Sequence, residues 1–183
     1  KIESPVVVVG HESKPVKDFI KSHKINAACV TQKEQLGTGN ALKCAEEALK
    51  SFNGNLIVLY GDVPFIENST IVSMLDQLKQ GAHLSILGFN TPDPVNYGRL
   101  IIGEGNEINE VVEEKDCSSS QKEIKMCNAG IYCGSSKLIF SLLSKLTNQN
   151  ASNEFYLTDI VKVAKNEGFK TCFIESTSFE TQG

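Results

Sequence analysis

The sequence predicts one α/β domain, with a mixed, mostly parallel sheet and helices on both of its faces. Short apolar runs rich in β-branched residues alternate with segments whose apolar residues recur at helical spacing. Repeated strand–helix–strand order favours a parallel sheet, because each helix carries the chain back to the edge where the strand began. Residues 99–102 and 108–112 flank the turn 104–106 and predict an antiparallel hairpin. The expected architecture is therefore Rossmann-like with a β-hairpin insertion.

Each element has its own local signal. Besides the hairpin, strands are predicted at 5–9, 27–30, 56–60, 84–89, 128–133 and 170–174, and helices at 14–24, 38–51, 69–79, 135–146 and 158–166. The unbroken apolar runs at 5–9 and 56–60 indicate strands buried on both faces. The helix at 38–51 has strong amphipathic spacing, and Ser69 is a candidate N-cap of the next helix. Residues 113–123 are polar and predict a loop with weak helix.

Composition restricts the class of protein. The 183 residues are enough for a single domain with a sizeable core. Eighteen Lys and Arg against 22 Asp and Glu give a net charge of −4, which argues against a general nucleic-acid-binding protein. The longest apolar run, 56–60, is far shorter than the ~20 residues of a membrane helix. The six cysteines form no C-x-x-C pair, which favours free thiols in a reducing cytoplasm.

Two polar segments in the first half follow predicted strands, and ligands of open α/β sheets bind beyond strand carboxyl ends. Residues 32–39 open a helix, and Gly37 and Gly39 allow close backbone approach, which fits a capping turn as well as a ligand loop. The segment lacks the third glycine of the dinucleotide fingerprint and the Gly-Lys-Ser/Thr of a Walker loop. Asp62 follows an apolar strand and is a hard oxygen ligand that suits Mg²⁺ bound to phosphate, although a turn residue that caps the next helix is the alternative.

Two further polar segments lie in the second half. Glu113 and Lys115 could bind a sugar and a phosphate, although a solvated charge run is the simpler interpretation of residues 111–116. Residues 128–130 and 153–159 carry amide, hydroxyl and carboxylate groups that can orient a sugar, or, for Thr158 and Asp159, cap a helix. The three histidines lie far apart in the sequence, so a Ser/His/Asp triad is poorly supported.

Six ordered motifs together carry a specific resemblance: EQLGTGNA (34–41), LYGDVPFI (59–66), NYGRLI (96–101), VVEEKD (111–116), NAGIY (128–132) and NEFYLTDIV (153–161). They resemble the uridylyltransferase domain of the bacterial bifunctional GlmU family over nearly the whole chain. The resemblance implies a GT-A-like nucleotide-diphospho-sugar transferase fold. It also implies transfer of a uridylyl group from UTP to N-acetylglucosamine-1-phosphate with Mg²⁺, giving UDP-N-acetylglucosamine and pyrophosphate. Such transfers rest on positioning and electrostatics and require no covalent protein nucleophile.

The resemblance also implies roles for individual residues. The residues that would contact the uracil are Gln32, Gly37 and Thr38. Tyr60 and Gly61 would lie beside the nucleotide and the sugar. Asp62 would be the catalytic metal ligand. The residues that would bind N-acetylglucosamine are Gly98, Glu113 and Asn128. Tyr156 and Thr158 would line the sugar and phosphate pocket.

The chain departs from the family at both ends. The family's Gly-rich triphosphate loop has no counterpart before the first strand, and its second metal ligand, an Asn two residues past the glycine matching Gly183, falls beyond the chain. The acetyltransferase domain is also absent, although the family trimerises mainly through it. We therefore expect residues 1–183 to be a partial nucleotidyltransferase domain that is compatible with a monomer and nearly inactive alone. The parent enzyme is expected to be a cytoplasmic homotrimer. Its substrates are expected to be small molecules, and it is expected to bind neither nucleic acid nor membranes.

Two alternatives to this interpretation stay open at the level of sequence. One is a related sugar-1-phosphate nucleotidyltransferase that uses another sugar or base. The other is a non-catalytic module that binds nucleotide sugars, favoured by the missing triphosphate loop.

Overall fold

The structure of the chain, a computed structural model, describes residues 5–176 and arranges their strands in two sheets. The smaller sheet is a parallel pair, β1 (Val6–Val9) and β2 (Ala28–Thr31). The larger sheet contains β3 (Asn55–Val58), β4 (Leu84–Asn90), β5 (Arg99–Ile102), β6 (Ile108–Val112), β7 (Met126–Ser135) and β8 (Thr171–Ser176). Lys1 and Gly183, on which the expected chain ends depend, lie outside the described residues.

The strand directions confirm a mixed α/β sheet in which one direction predominates. β3, β4 and β5 are each antiparallel to β7, and β8 is parallel to β4, so these four strands point the same way. β6 and β7 run in the opposite direction. Most hydrogen-bonded neighbours in this sheet are nevertheless antiparallel, because the ten-residue β7 lies between strands of the common direction. The predicted hairpin is present as β5 and β6.

Helices cover both faces of the larger sheet, as predicted. Their bounds are α1 (Lys14–Ser22), α2 (Thr38–Cys44), α3 (Asn68–Lys79), α4 (Ser119–Lys122), α5 (Ser136–Leu143) and α6 (Asp159–Asn166). Alternation along β4 places Leu84 and Ile86 in one core cluster with α5 and α6, and Leu87 and Phe89 in a second cluster with Met74 of α3. Within residues 5–176 no helix has the length and apolar character needed to cross a bilayer.

The structure corrects three local expectations. The helix predicted at 38–51 ends at Cys44, because the next two N–H groups bond three residues back, and only a 3₁₀ turn follows. Ser69 is not the N-cap of α3; Glu67 is, and the Ser69 hydroxyl donates to the Glu67 carboxylate (3.1 Å). β1 and β3 are mostly half-buried instead of fully buried, because each has one strand partner within the described part of the chain.

Candidate active site

A cavity of about 490 Å³ opens beside the ends of β3, β5 and β6, a volume in the range of small-molecule sites. Its walls come from six separate segments of the chain. Seven of the eleven residues singled out from the sequence line it: Thr38, Tyr60, Asp62, Gly98, Glu113, Asn128 and Tyr156. Folding therefore brings together side chains that lie as far apart in the sequence as Thr38 and Tyr156.

The other four predicted residues do not line this cavity, and two of them lie next to it. Gly61 joins two lining residues and is exposed, with open space where a Cβ would stand. Thr158 is buried behind Glu113. Gln32 lines a separate shallow hollow at the end of the small sheet, and Gly37 precedes α2. The structure thus brings Gly61 and Thr158 to the cavity but not Gln32.

The glycine-containing loop before α2 packs backbone to backbone against the segment before α6. The Phe155 N–H donates to the Leu36 carbonyl, and the Gly39 N–H donates to the Phe155 carbonyl, both at 2.8 Å. Gly37 has a φ of 101°, and a Cβ there would stand 2.7 Å from the Phe155 carbonyl oxygen. Only glycine fits this approach without strain. This packing brings Thr38, the first residue of α2, and Tyr156 to the same cavity.

Hydrogen bonds hold the side chains of this loop in place. The Gln32 side-chain nitrogen donates to the Gly37 carbonyl (3.1 Å) and to the Asn40 side-chain oxygen (2.9 Å). The Leu157 N–H donates to the Thr38 hydroxyl (3.0 Å). Gln32 thus braces the loop from inside and keeps its side-chain oxygen for another donor. Its contact with uracil stays a prediction, as does that of Gly37.

Tyr60 forms a flat wall of the cavity. Its ring lies against Gly130, whose φ is 75° and where a Cβ would stand 2.7 Å from the ring. Burial raises the pKa of Tyr60 to about 12, while its hydrogen bond with Thr38 acts in the opposite direction. The hydroxyl therefore stays protonated at neutral pH and can both donate and accept a hydrogen bond.

Glu113 is one of three half-buried carboxylates that line the cavity, with Glu114 and Glu154. The Thr158 hydroxyl donates to its Oε1 at 3.0 Å. Burial raises the pKa of Glu113, and nearby carboxylates, Asp159 foremost, raise it further, whereas the Thr158 hydrogen bond lowers it. Thr158 stands at the N-cap of α6 but makes no side-chain capping bond. Of its two sequence interpretations, the structure thus favours the contact inside the site.

The charge run after β6 is partly solvated, since Lys115 and Asp116 are exposed, but three of its side chains also bond to neighbouring segments. The Glu114 carboxylate accepts the N–H of Asn96, and the Asp116 carboxylate accepts the N–H of Ala151 (2.9 Å). The Lys115 ammonium donates to the Ser152 hydroxyl (3.3 Å). These bonds join the segments on either side of the cavity. Ser152 lines it and carried no sequence signal beyond its position beside a recognised motif.

Asn128 sits on β7 and presents its side chain to the cavity. Its own N–H donates to the Gly98 carbonyl (2.8 Å), which ties β7 to the start of β5. Its side-chain nitrogen donates to the Tyr132 hydroxyl (2.9 Å), and its side-chain oxygen accepts the Gly130 N–H (3.1 Å). Tyr132 was not singled out from the sequence, although the motif NAGIY contains it, and Gly130 was named only as part of the segment 128–130.

Asp62 is the cavity residue whose chemistry suits a divalent cation. It is exposed and lines the wall beyond β3. The described residues contain no cluster of three or more His, Cys, Asp or Glu side chains able to hold a metal. Mg²⁺ commonly uses one or two protein carboxylates and takes its other ligands from substrate phosphate and water. Asp62, the exposed one of the four carboxylates that line the cavity, therefore fits Mg²⁺ delivered with a nucleotide.

The fold is that of GT-A-like nucleotidyltransferases. A UDP-glucose pyrophosphorylase complexed with UDP-glucose superposes with a TM-score of 0.74, over 98% of this chain and 76% of that chain, at 17% identity. A putative glucose-1-phosphate thymidylyltransferase from Bacillus anthracis has a TM-score of 0.71, over 94% of this chain and 67% of that chain, at 21% identity. Both likenesses show the shared fold.

The chain belongs to the nucleotidyl transferase family, whose family model matches residues 1–178. Curated relatives named bifunctional protein GlmU include that of Ruegeria sp. (strain TM1040), 41% identical over 99% of this chain and 40% of the relative. The GlmU protein of Roseobacter denitrificans is 39% identical over 97% of this chain and 39% of the relative. The GlmU protein of Geotalea daltonii is 40% identical over 91% of this chain and 36% of the relative. These relatives confirm the resemblance to the GlmU family. The chain spans about two fifths of their length.

Proposed function

We propose that this chain carries the uridylyltransferase site of a sugar-1-phosphate nucleotidyltransferase. The reaction joins the uridylyl group of UTP to N-acetylglucosamine-1-phosphate and releases pyrophosphate. The observation that carries the proposal is the cavity itself, which gathers seven residues implied by the family resemblance from six distant segments. The match to the nucleotidyl transferase family supports the same reaction class.

The geometry supports a division of roles in which the protein positions two substrates. The Glu113 carboxylate accepts a hydrogen bond from an amide or hydroxyl of the sugar, and Asn128 offers a donor and an acceptor beside it. The Tyr60 ring gives the ligand a flat surface. A phosphate oxygen of the sugar attacks the α-phosphorus of UTP in line, and pyrophosphate leaves. No protein nucleophile is needed, and the protein lowers the barrier by alignment and by fixed hydrogen bonds.

Asp62 is the residue that would hold Mg²⁺. Bound there, the ion would offset the negative charge that develops on the phosphate oxygens. Lys115, oriented by Ser152, adds a positive charge at the rim of the same cavity. These positive charges would offset part of the negative charge of the four carboxylates that line the cavity, Asp62, Glu113, Glu114 and Glu154, and so allow an anionic ligand to bind.

The test is sugar-dependent pyrophosphate release by the complete natural protein that contains this chain. We expect release with UTP, Mg²⁺ and N-acetylglucosamine-1-phosphate, and a fall of about a hundredfold or more in Asp62→Asn, as for loss of a charge-stabilising group. Asp76→Asn is the matched control, because Asp76 is a carboxylate of α3 that pairs with Lys79 away from the cavity. A wild-type protein that releases pyrophosphate with no sugar phosphate, or an unaffected Asp62→Asn variant, contradicts the proposal.

The same assay separates the open alternatives. Replacing the sugar by glucose-1-phosphate and UTP by dTTP tests specificity, and we expect the N-acetyl sugar and UTP to give the highest kcat/KM. We also propose that residues 1–183 alone turn over little or nothing, yet bind UDP-N-acetylglucosamine. Turnover by this chain near that of the complete protein contradicts that expectation.

All six cysteines are free thiols, which supports a reducing cytoplasmic setting.

A further inference from the structure

Tyr132 places a polar group deep inside the core, next to the cavity. Its side chain is 0% exposed and packs in the cluster formed with α5 and α6. Tyr132 does not line the cavity, yet its hydroxyl accepts a hydrogen bond from the side-chain nitrogen of Asn128 at 2.9 Å. A buried hydroxyl is costly unless it is hydrogen-bonded, so this bond has a structural reason to persist.

The bond fixes one end of an amide whose other end is also fixed. The Asn128 side-chain oxygen accepts the N–H of Gly130 at 3.1 Å. A side-chain amide has two N–H donors and an oxygen with two lone pairs, so one donor and one lone pair stay available. Because Asn128 lines the cavity, the held orientation decides where these two groups point. Rotation of the amide would displace both.

We propose that Tyr132 is a positioning residue, whose hydroxyl holds the Asn128 amide in the orientation that binds the ligand in the cavity. The nature of that ligand, a nucleotide-linked N-acetyl sugar, rests on the proposed function. Tyr132→Phe keeps the buried ring and removes only the acceptor, leaving an Asn128 N–H without its partner. The amide then rotates toward whatever partner the cavity offers, and its fit to the ligand is lost.

A spectroscopic test follows the amide directly. In ¹H–¹⁵N spectra of the chain, the side-chain NH₂ pair of Asn128 is the pair missing from Asn128→Asp. We expect Tyr132→Phe to shift this pair and to speed its hydrogen exchange. Ile131→Val is the matched control, because Ile131 is fully buried on the same strand and packs in the other core cluster. An Asn128 pair that is unchanged in Tyr132→Phe overturns the proposal.

A binding test separates positioning from a general loss of stability. We expect Tyr132→Phe to raise the Kd for UDP-N-acetylglucosamine about tenfold, the factor of one ordinary hydrogen bond, and to leave the Kd for UDP within about twofold. Equal weakening of both ligands, or the same weakening in Ile131→Val, overturns the proposal. If the wild-type chain binds neither ligand, that result contradicts the proposal that residues 1–183 bind UDP-N-acetylglucosamine, and the Asn128 signals decide the positioning role on their own.

Discussion

Gly130 is a position where one added methyl group is expected to disturb the cavity from behind. Its φ is 75°, in the left-handed region, and an ideal Cβ would stand 2.7 Å from the Tyr60 ring. An alanine at Gly130 would be destabilised both by backbone strain and by a clash. Gly168→Ala is a control that has the strain without the clash, because the φ of Gly168 is 78° and nothing lies within 4 Å of an added Cβ.

The two substitutions therefore share the strain and differ in the clash. Left-handed alanine costs about 1–2 kcal/mol, and the stiffer unfolded chain returns about 0.4–1 kcal/mol, so Gly168→Ala should lose about 1 kcal/mol. Overpacking of a fitted site adds about 1–3 kcal/mol, which Gly130→Ala alone incurs. At about 2–4 °C per kcal/mol for a chain of this size, Gly130→Ala should melt roughly 2–12 °C below Gly168→Ala.

The assay is thermal unfolding of both variants and the wild type, followed by UDP-N-acetylglucosamine titration at a temperature where all are folded. The displaced Tyr60 ring has to move toward the cavity or deform the wall, so Gly130→Ala should also bind the ligand more weakly than Gly168→Ala. Equal melting temperatures and equal affinities in the two variants would refute the close packing of Tyr60 on Gly130.

Three further predictions concern protons and helix ends. Because the pKa of Glu113 is raised, its carboxylate takes up a proton at a pH above the ordinary value of 4.5. The affinity for UDP-N-acetylglucosamine should therefore begin to fall, as the pH is lowered, before pH 4.5 is reached. Glu113→Gln should bind the ligand weakly and with no dependence on pH. Thr158→Val removes the hydrogen bond that lowers this pKa, so the midpoint of the same pH profile should move upward; a downward shift contradicts the assignment. Ser118→Ala removes the acceptor for the Gln121 N–H in the capping box of α4 and should cost about 1 kcal/mol in urea unfolding, a loss that Ser118→Asp should largely avoid.

The elements of this fold were predictable where the signal is local. For residues 5–176, alternation of apolar runs and helical spacing predicted the eight strands, five of the six helices and the hairpin. It did not give the separation of β1 and β2 from the larger sheet, because strand pairing depends on partners distant in sequence. It also overestimated the burial of β1 and β3, since an apolar strand with one neighbour has the same composition as one with two.

The candidate site was predictable to the extent that motifs carry it. Each of the six motifs contributed at least one lining residue, and among these Tyr60, Asp62 and Glu113 follow the ends of β3 and β6, as expected for an open α/β sheet. Tyr132 was missed because its hydroxyl is hidden in an apolar strand, where tyrosine resembles any core aromatic. The hydrogen-bond partners of Glu114 and Asp116 were missed because they lie in segments distant in the sequence. A run of charged residues has the same sequence pattern whether or not its side chains have such partners.

The long strand β7 has a consequence for how the chain folds during synthesis. β3 ends at residue 58, but its described partner β7 is complete only at residue 135. At 5–20 residues per second, a ribosome needs roughly 4–15 s to make the intervening stretch. β3 stays unpaired with β7 through that interval and β4 through the later part of it, and unpaired strand edges are sites of faulty association. We therefore expect the yield of folded chain to depend on how fast residues 59–135 are translated, and on chaperones that shield those edges meanwhile.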